Sequence, residues 1–177
     1  KVKSVKAVKA ATDLSKLTAA YTAQDGEILT GTTSQEISIA ESATVTLKNA
    51  TVNKRIKCLG TATIILADGS KNAVKASDYC AGIQIGGEGT TLTINAETAG
   101  TGSLTATGGD QAAGIGTGST STSAVTGGNI VINGGTITAN AGTRYGAGIG
   151  TGFANSYNNT CGSITINGGT VTATGDD

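Results

Sequence analysis

Short stretches of alternating apolar and polar residues occur along most of the 177-residue chain. Val45 and Leu47 alternate with threonines, and Ile64 and Leu66 lie in a similar stretch. This period of two places every second side chain on one face of a strand. Between the stretches stand turn formers, such as the NGG at 133–135 and 167–169. The pattern predicts an all-β chain of short strands joined by tight turns.

The alternation itself repeats at a fixed distance. The hexapeptide AGIGTG occurs at 113–118 and again at 147–152, 34 residues later. Apolar residues of the segments that follow recur at the same spacing: Ile130, Ile132 and Ile137 become Ile164, Ile166 and Val171. A constant period across separate segments indicates a solenoid. A phosphate-binding loop is the alternative, but neither GxGxxG nor the Lys-Ser/Thr of a Walker motif is present.

Alignment backwards from the clear repeats gives five rungs, each with three short strands. Their inward residues are Ile37/Ile39, Val45/Leu47 and Val52; Ile56/Cys58, Ile64/Leu66 and Val74; Ile83/Ile85, Leu92/Ile94 and Leu104; Ile115, Ile130/Ile132 and Ile137; Ile149, Ile164/Ile166 and Val171. Three strands per turn predict a three-sided parallel β-helix of about five rungs. The strong preference of parallel crossovers predicts a right-handed coil.

The start of the chain differs from the rungs. Thr12 or Asp13 is a candidate helix N-cap, and a short helix there would cover the exposed edge of the first rung. We therefore expect an N-terminal leader and cap over residues 1–30 and a β-helix over residues 31–177.

Composition limits the core and the partners. Glycine is abundant at 28 residues, proline is absent, and the aromatic residues are four Tyr and one Phe, so the interior must be narrow. Residues 1–75 hold 11 Lys and Arg against 6 acids (+5), and residues 76–177 hold 1 against 6 (−5). The basic KVKSVKAVK segment has no interleaved aromatic residues, so we expect a solvated leader and no nucleic-acid partner.

Three cysteines without a CxxC motif, in a chain without histidine, predict no disulfide framework, no metal site and no cofactor. No apolar run approaches the roughly 18 residues of a membrane-spanning helix. The oligomeric state is left open by the sequence.

The order of motifs resembles a known type of protein. DGEILTGTTSQEISIAESATVTLKNATV (25–52), IKCLGTATIILADGS (56–70) and AGIQIGGEGTTLTI (81–94) lead into the two AGIGTG repeats. This order resembles secreted or surface bacterial Gly/Thr-rich repeat proteins of the carbohydrate-binding-domain-like, adhesin-like β-helix type. The resemblance implies a secreted or cell-surface location and non-catalytic contact with a glycan or a cell surface. A polysaccharide lyase-like enzyme and a purely structural stalk are the alternatives.

One column of residues is the candidate ligand site. Tyr79, Gln111 and Tyr145 each lie two residues before an Ala-Gly-Ile, and Asp78, Asp110 and Arg144 precede them directly. Aligned rungs would gather these six residues in one exposed strip, and tyrosine faces flanked by polar groups suit sugar rings. The loop 151–162, with Phe153 and Tyr157, is expected to add a wall. The plainer interpretation is that the six are ordinary polar corner residues.

Catalysis is not predicted. A lyase on this fold would need an acidic calcium cluster and a basic proton abstractor. The acids of the rungs are scattered, Arg144 is the only basic residue after Lys75, and no histidine can act as a general base.

Overall fold

The computed structural model describes residues 10–177, and the predicted KVKSVKAVK leader lies outside the described residues. The described chain has seventeen short strands and one 3-10 helix, η1, at Leu14–Lys16. The strands are β1 (Thr12–Asp13), β2 (Tyr21–Ala23), β3 (Ile28–Thr33), β4 (Ile37–Ile39), β5 (Thr44–Val52), β6 (Ile56–Cys58), β7 (Ala62–Leu66), β8 (Lys71–Lys75), β9 (Ile83–Gln84), β10 (Thr91–Ala96), β11 (Ser103–Thr107), β12 (Ile115–Gly116), β13 (Asn129–Ile132), β14 (Thr136–Asn140), β15 (Ile149–Gly150), β16 (Ile164–Ile166) and β17 (Thr170–Thr174).

The strands form three parallel faces around a narrow core, which confirms the predicted three-sided parallel β-helix. Face 1 is a six-stranded sheet in the order β15-β12-β9-β6-β4-β2. Face 2 contains β16-β13-β10-β7, and face 3 contains β8-β11-β14-β17. Both belong to one eleven-stranded sheet, because the long β5 pairs with β7 through Thr44–Leu47 and with β8 through Thr51–Val52. The NGG segments are therefore corners between parallel strands, not hairpin turns.

Face 1 shows six coils in the described residues, where the sequence alignment gave five rungs. The additional first coil contains β2 and β3, which pair with β4 and β5. The alignment began at Ile37 because the YTA of β2 lacks the isoleucine pair of later coils. Strand pairing therefore starts before residue 31, and the division into a cap at 1–30 and a solenoid at 31–177 stays a prediction.

The interior is a set of stacked aliphatic ladders. On face 1, Ile37, Ile56, Ile83, Ile115 and Ile149 lie in register from coil to coil. The first four of these side chains are fully buried. Each fully buried aliphatic side chain stabilises the fold by roughly 1.5–3 kcal/mol relative to exposure. The coils are thus held together by the same residues that carry the sequence period.

Two parts of the predicted alignment were wrong by two residues. Ile94 lies opposite Ile64, not Leu66, and Leu104 lies opposite Asn72, not Val74. A shift of two residues keeps every inward side chain inward, so the alternation cannot detect it.

The buried Asn72 explains the second shift. Its Oδ1 accepts a hydrogen bond from the Ala50 amide (2.9 Å), and its Nδ2 donates to Ser70 Oγ (2.8 Å) and to the Ser103 carbonyl (3.0 Å). A buried polar residue is tolerated when it is hydrogen-bonded in this way. A hydrophobic pattern places no asparagine in a core, so the predicted alignment pairs Leu104 with Val74 instead.

The N-terminal helix is a single 3-10 turn that covers the first coil. Asp13 is its N-cap, since the carboxylate accepts a hydrogen bond from the Ser15 amide (3.0 Å). Leu14 is fully buried and belongs to the apolar core of the coils. The cap thus contributes a core side chain.

Candidate functional site

The repeated AGIGTG reverses the chain at the corner after face 1. Gly116 and Gly150 have φ of 145° and 137°, a region open mainly to glycine. Beyond them the chain folds back, so the Ala113 amide donates to the Thr117 carbonyl (3.2 Å) and the Ala147 amide to the Thr151 carbonyl (3.1 Å). A Cβ on Gly116 would lie 1.8 Å from the Gly150 carbonyl oxygen. Two stacked reversals therefore require glycine here.

The reversal brings new side chains beside the predicted column. The Ser119 amide donates to the Tyr79 carbonyl (2.8 Å), and the Phe153 amide donates to the Gln111 carbonyl (2.8 Å). In each case the returning segment is bonded to the corner one coil earlier. Ser119 and Phe153 thus form a second column parallel to Tyr79 and Gln111.

Two long loops continue from the reversals and stack on each other. They span residues 117–128 and 151–163 and are joined by parallel bridges between Thr120 and Ala154 and between Thr126 and Thr160. The Asn159 side chain accepts from the Val125 amide (2.9 Å). The expected wall is therefore built from both loops.

A groove of about 580 Å³ lies between the corner column and the loops. Its lining residues are Tyr79, Gln111, Ser119, Thr120, Ser121, Thr122, Phe153 and Asn155. Tyr79 is 55% exposed. Gln111 Oε1 accepts from Ser119 Oγ (3.3 Å). The groove combines two aromatic rings with hydroxyl and amide groups, and none of its lining residues is charged.

The six residues of the predicted strip divide between two sides of the corner. Tyr79 and Gln111 line the groove, whereas Asp78 and Asp110 line a neighbouring groove of about 500 Å³. Tyr145 is 59% exposed and does not line the first groove. Its ring packs on Phe153, with centroids 5.2 Å apart and planes at 35°.

Arg144 forms an ion pair with Asp110, which lines the second groove. Arg144 Nε lies 3.2 Å from Asp110 Oδ1, and a terminal guanidinium nitrogen contacts Oδ2. Hydrogen bonds from Thr143 and Arg144 lower the pKa of Asp110, and the Asp110 carboxylate raises the pKa of Arg144. The positive charge of the Arg144 guanidinium is thus balanced by the Asp110 carboxylate.

The backbone at this corner is unusual. Among the described residues, six non-glycine residues have positive φ, and four belong to the predicted strip: Asp78, Gln111, Arg144 and Tyr145 (53–63°). The left-handed conformation costs an ordinary residue roughly 1–2 kcal/mol. Such strain is concentrated at functional sites, where the surrounding structure maintains it.

The described residues contain no group of three or more Asp, Glu, Cys or His side chains that could hold a metal ion. The three cysteines are free thiols, and burial raises the pKa of Cys58 to about 12. No helix over residues 10–177 has the length and apolar character needed to cross a membrane.

Sequence reasoning missed Ser119–Thr122 and Asn155. Their only signal is their position directly after AGIGTG, which has no meaning until the chain reversal is known.

A β-helix repeat family model matches residues 99–119, 130–153 and 164–176, which supports a β-helix repeat protein. These segments include Gln111, Ser119, Tyr145 and Phe153. Neither a curated protein nor a solved structure matches the chain. The match agrees with the observed coils and carries no information about a ligand.

Proposed function

We propose that this chain is a non-catalytic binding or adhesion module, displayed outside the cell, that contacts polysaccharide through the groove. The carrying observation is the groove itself, where the exposed Tyr79 ring and the Phe153 ring flank hydroxyl and amide side chains. Sugar rings have apolar faces and hydroxyl edges, and they are bound by this combination of groups. The secreted or cell-surface location rests on the resemblance of the repeats.

Two further observations support binding at this corner. Loops fixed on a rigid scaffold are frequent sites of recognition, and here the loops are bonded to the coils through Tyr79 and Gln111. Tyr145 packs on the Phe153 ring and restricts its movement on that side. A pre-positioned aromatic wall loses little side-chain entropy when a ligand binds.

The lyase alternative is less well supported by the site. Proton abstraction needs a base within reach of the substrate. The lining of the groove has no Asp, Glu, Lys, Arg or Cys, and Tyr79 is its one side chain of a type that commonly transfers protons. Arg144 stands nearby, but its guanidinium is paired with Asp110.

The test of binding is a glycan array on the intact 177-residue chain, with Tyr79→Ala as the variant and Tyr157→Ala as the control. Tyr157 is also exposed on a loop but does not line the groove. We expect Tyr79→Ala to lose most of the signal and Tyr157→Ala to keep it. Because Tyr145 acts through Phe153, Tyr145→Ala should weaken binding less than Tyr79→Ala.

The competing functions have distinct outcomes. Incubation with pectin-like and other acidic polysaccharides plus calcium tests for the unsaturated product of a lyase, and turnover would contradict the non-catalytic proposal. A stalk predicts a blank array. Unchanged binding by the Tyr79→Ala, Tyr145→Ala double variant would exclude this corner as the binding site.

A further inference from the structure

The charges around the groove disfavour an anionic ligand. The groove itself carries no charged side chain, and the only basic residue after Lys75, Arg144, is neutralised by Asp110. Asp78, Asp110 and Asp176 line the neighbouring groove together with one cation, Lys75. These three carboxylates against the two cations, Lys75 and Arg144, leave a local charge of −1 (3 negative, 2 positive). A uronic acid would approach this corner against that field.

The aromatic rings of the groove also disfavour an anionic ligand. The face of an aromatic ring carries the negative part of its quadrupole, so it accepts the C–H face of a sugar and repels a carboxylate. Tyr79 and Phe153 line the groove, and Arg144, which lies within electrostatic range of Tyr79, is paired with Asp110.

Gln111 supplies the polar contact that fixes orientation. Its Oε1 accepts a hydrogen bond from Ser119 Oγ, and no acceptor for its Nε2 is found in the described part of the chain. The two N–H donors of the amide are therefore free for a ligand oxygen.

The backbone of Gln111 is held as firmly as its side chain. Its amide donates to the Thr143 carbonyl (2.7 Å), and its carbonyl accepts from the Phe153 amide (2.8 Å). Its φ of 58° places Gln111 in the left-handed conformation at this corner. A donor fixed before binding costs less entropy to use.

We infer that the groove binds uncharged oligosaccharides, with Tyr79 and Phe153 against the sugar faces and Gln111 Nε2 donating to a sugar oxygen. This inference rests on the proposed function and names its ligand class.

Calorimetric titration of the intact chain tests the class directly. The probes are cellohexaose, xylohexaose and mannohexaose as neutral ligands and hexagalacturonate as the acidic ligand of equal length. At least one neutral probe is expected to bind more tightly than hexagalacturonate. Gln111→Glu, which replaces the donors with a carboxylate, should weaken neutral binding about tenfold or more.

Gln24→Glu is the matched control. Gln24 is exposed on the first coil, so the variant adds the same charge far from the groove, and its affinity should equal that of the parent chain. Asp110→Asn tests the charge directly, because a purely structural role of Asp110 would not raise the affinity for an acidic ligand. It removes the partner of Arg144, and hexagalacturonate should then bind more tightly than it does to the parent chain.

The failures are distinguishable. Tighter binding of hexagalacturonate than of every neutral probe, lost in Tyr79→Ala, would overturn the uncharged class and keep the proposed function. Neutral binding unchanged in a folded Gln111→Glu variant would overturn the role of Gln111. No binding by any probe together with a blank array would overturn both proposals.

Discussion

Replacement of Ile132 by aspartate is expected to unfold the β-helix, whereas the same replacement of Ile166 is expected to leave it folded. The two residues lie in register on face 2, one coil apart. Ile132 stands between Ile94 and Ile166 and is 0% exposed, while Ile166 is 52% exposed. The pair therefore compares one substitution in two environments of one ladder.

The magnitudes follow from burial. Loss of the Ile132 side chain forfeits about 1.5–3 kcal/mol of apolar burial. An unpaired buried carboxyl must be held neutral, and protonating a group of pKa near 3.9 at pH 7 costs about 4 kcal/mol. The sum of about 6–7 kcal/mol is comparable to a typical net stability of about 5–15 kcal/mol. At Ile166 the carboxylate stays hydrated, and about half of the burial is lost, near 1 kcal/mol.

Urea unfolding followed by far-ultraviolet circular dichroism measures both variants. The pH dependence of stability separates the cost of the buried charge from the cost of the lost apolar burial. Burial raises the folded-state pKa of the introduced carboxyl, so its cost is small below about pH 4 and grows as the pH rises. Ile132→Asp should therefore recover stability at pH 4, and Ile166→Asp should change little. Equal midpoints for the two variants at pH 7 would refute the stacking that places Ile132 inside.

Three further predictions concern the interior and the corner. Burial raises the Cys58 pKa from 9.0 to about 12. The free energy of unfolding should therefore fall by up to about 1.4 kcal/mol per pH unit between pH 9 and 12. A Cys58→Ala chain that keeps this slope in urea titrations would contradict the assignment of the slope to Cys58. Asn72→Ala should lower the free energy of unfolding by about 1–3 kcal/mol, because the buried Ala50 amide loses its acceptor; an unchanged urea midpoint would argue against that bond. Gly116→Ala should lower the thermal midpoint more than Gly150→Ala. The nearest atom to the added Cβ is a carbonyl oxygen at 1.8 Å for Gly116 and a methyl carbon at 3.4 Å for Gly150. The reverse order of midpoints would refute the stacked reversals.

The fold was predictable because one physical constraint dominates it. A narrow interior accepts aliphatic side chains at fixed positions, so Ile130 and Ile164 had to recur with the coil period. Register was the exception. A period of two does not distinguish a two-residue shift. The ladder between β8 and β11 places Leu104 opposite Asn72, whose side chain donates to the Ser103 carbonyl.

The candidate site was predictable only in part. Tyr79 and Gln111 could be aligned because each lies at a fixed distance before a buried isoleucine. The placement of Ser119 and Phe153 could not, because it depends on hydrogen bonds between coils that no local pattern encodes. The packing of Tyr145 on Phe153 has the same origin.

The groove and the core share one source of stability. On face 1, β12 and β15 have two residues each, and the glycine reversal that follows them takes the chain out of the sheet. The backbone groups released there are satisfied by the corner of the preceding coil, at Tyr79 and Gln111. The spacing across the groove is therefore set by coil stacking. A change that loosens the stack between these coils is expected to displace Phe153 from Gln111 as well, so the groove can be no more rigid than the ladder beneath it.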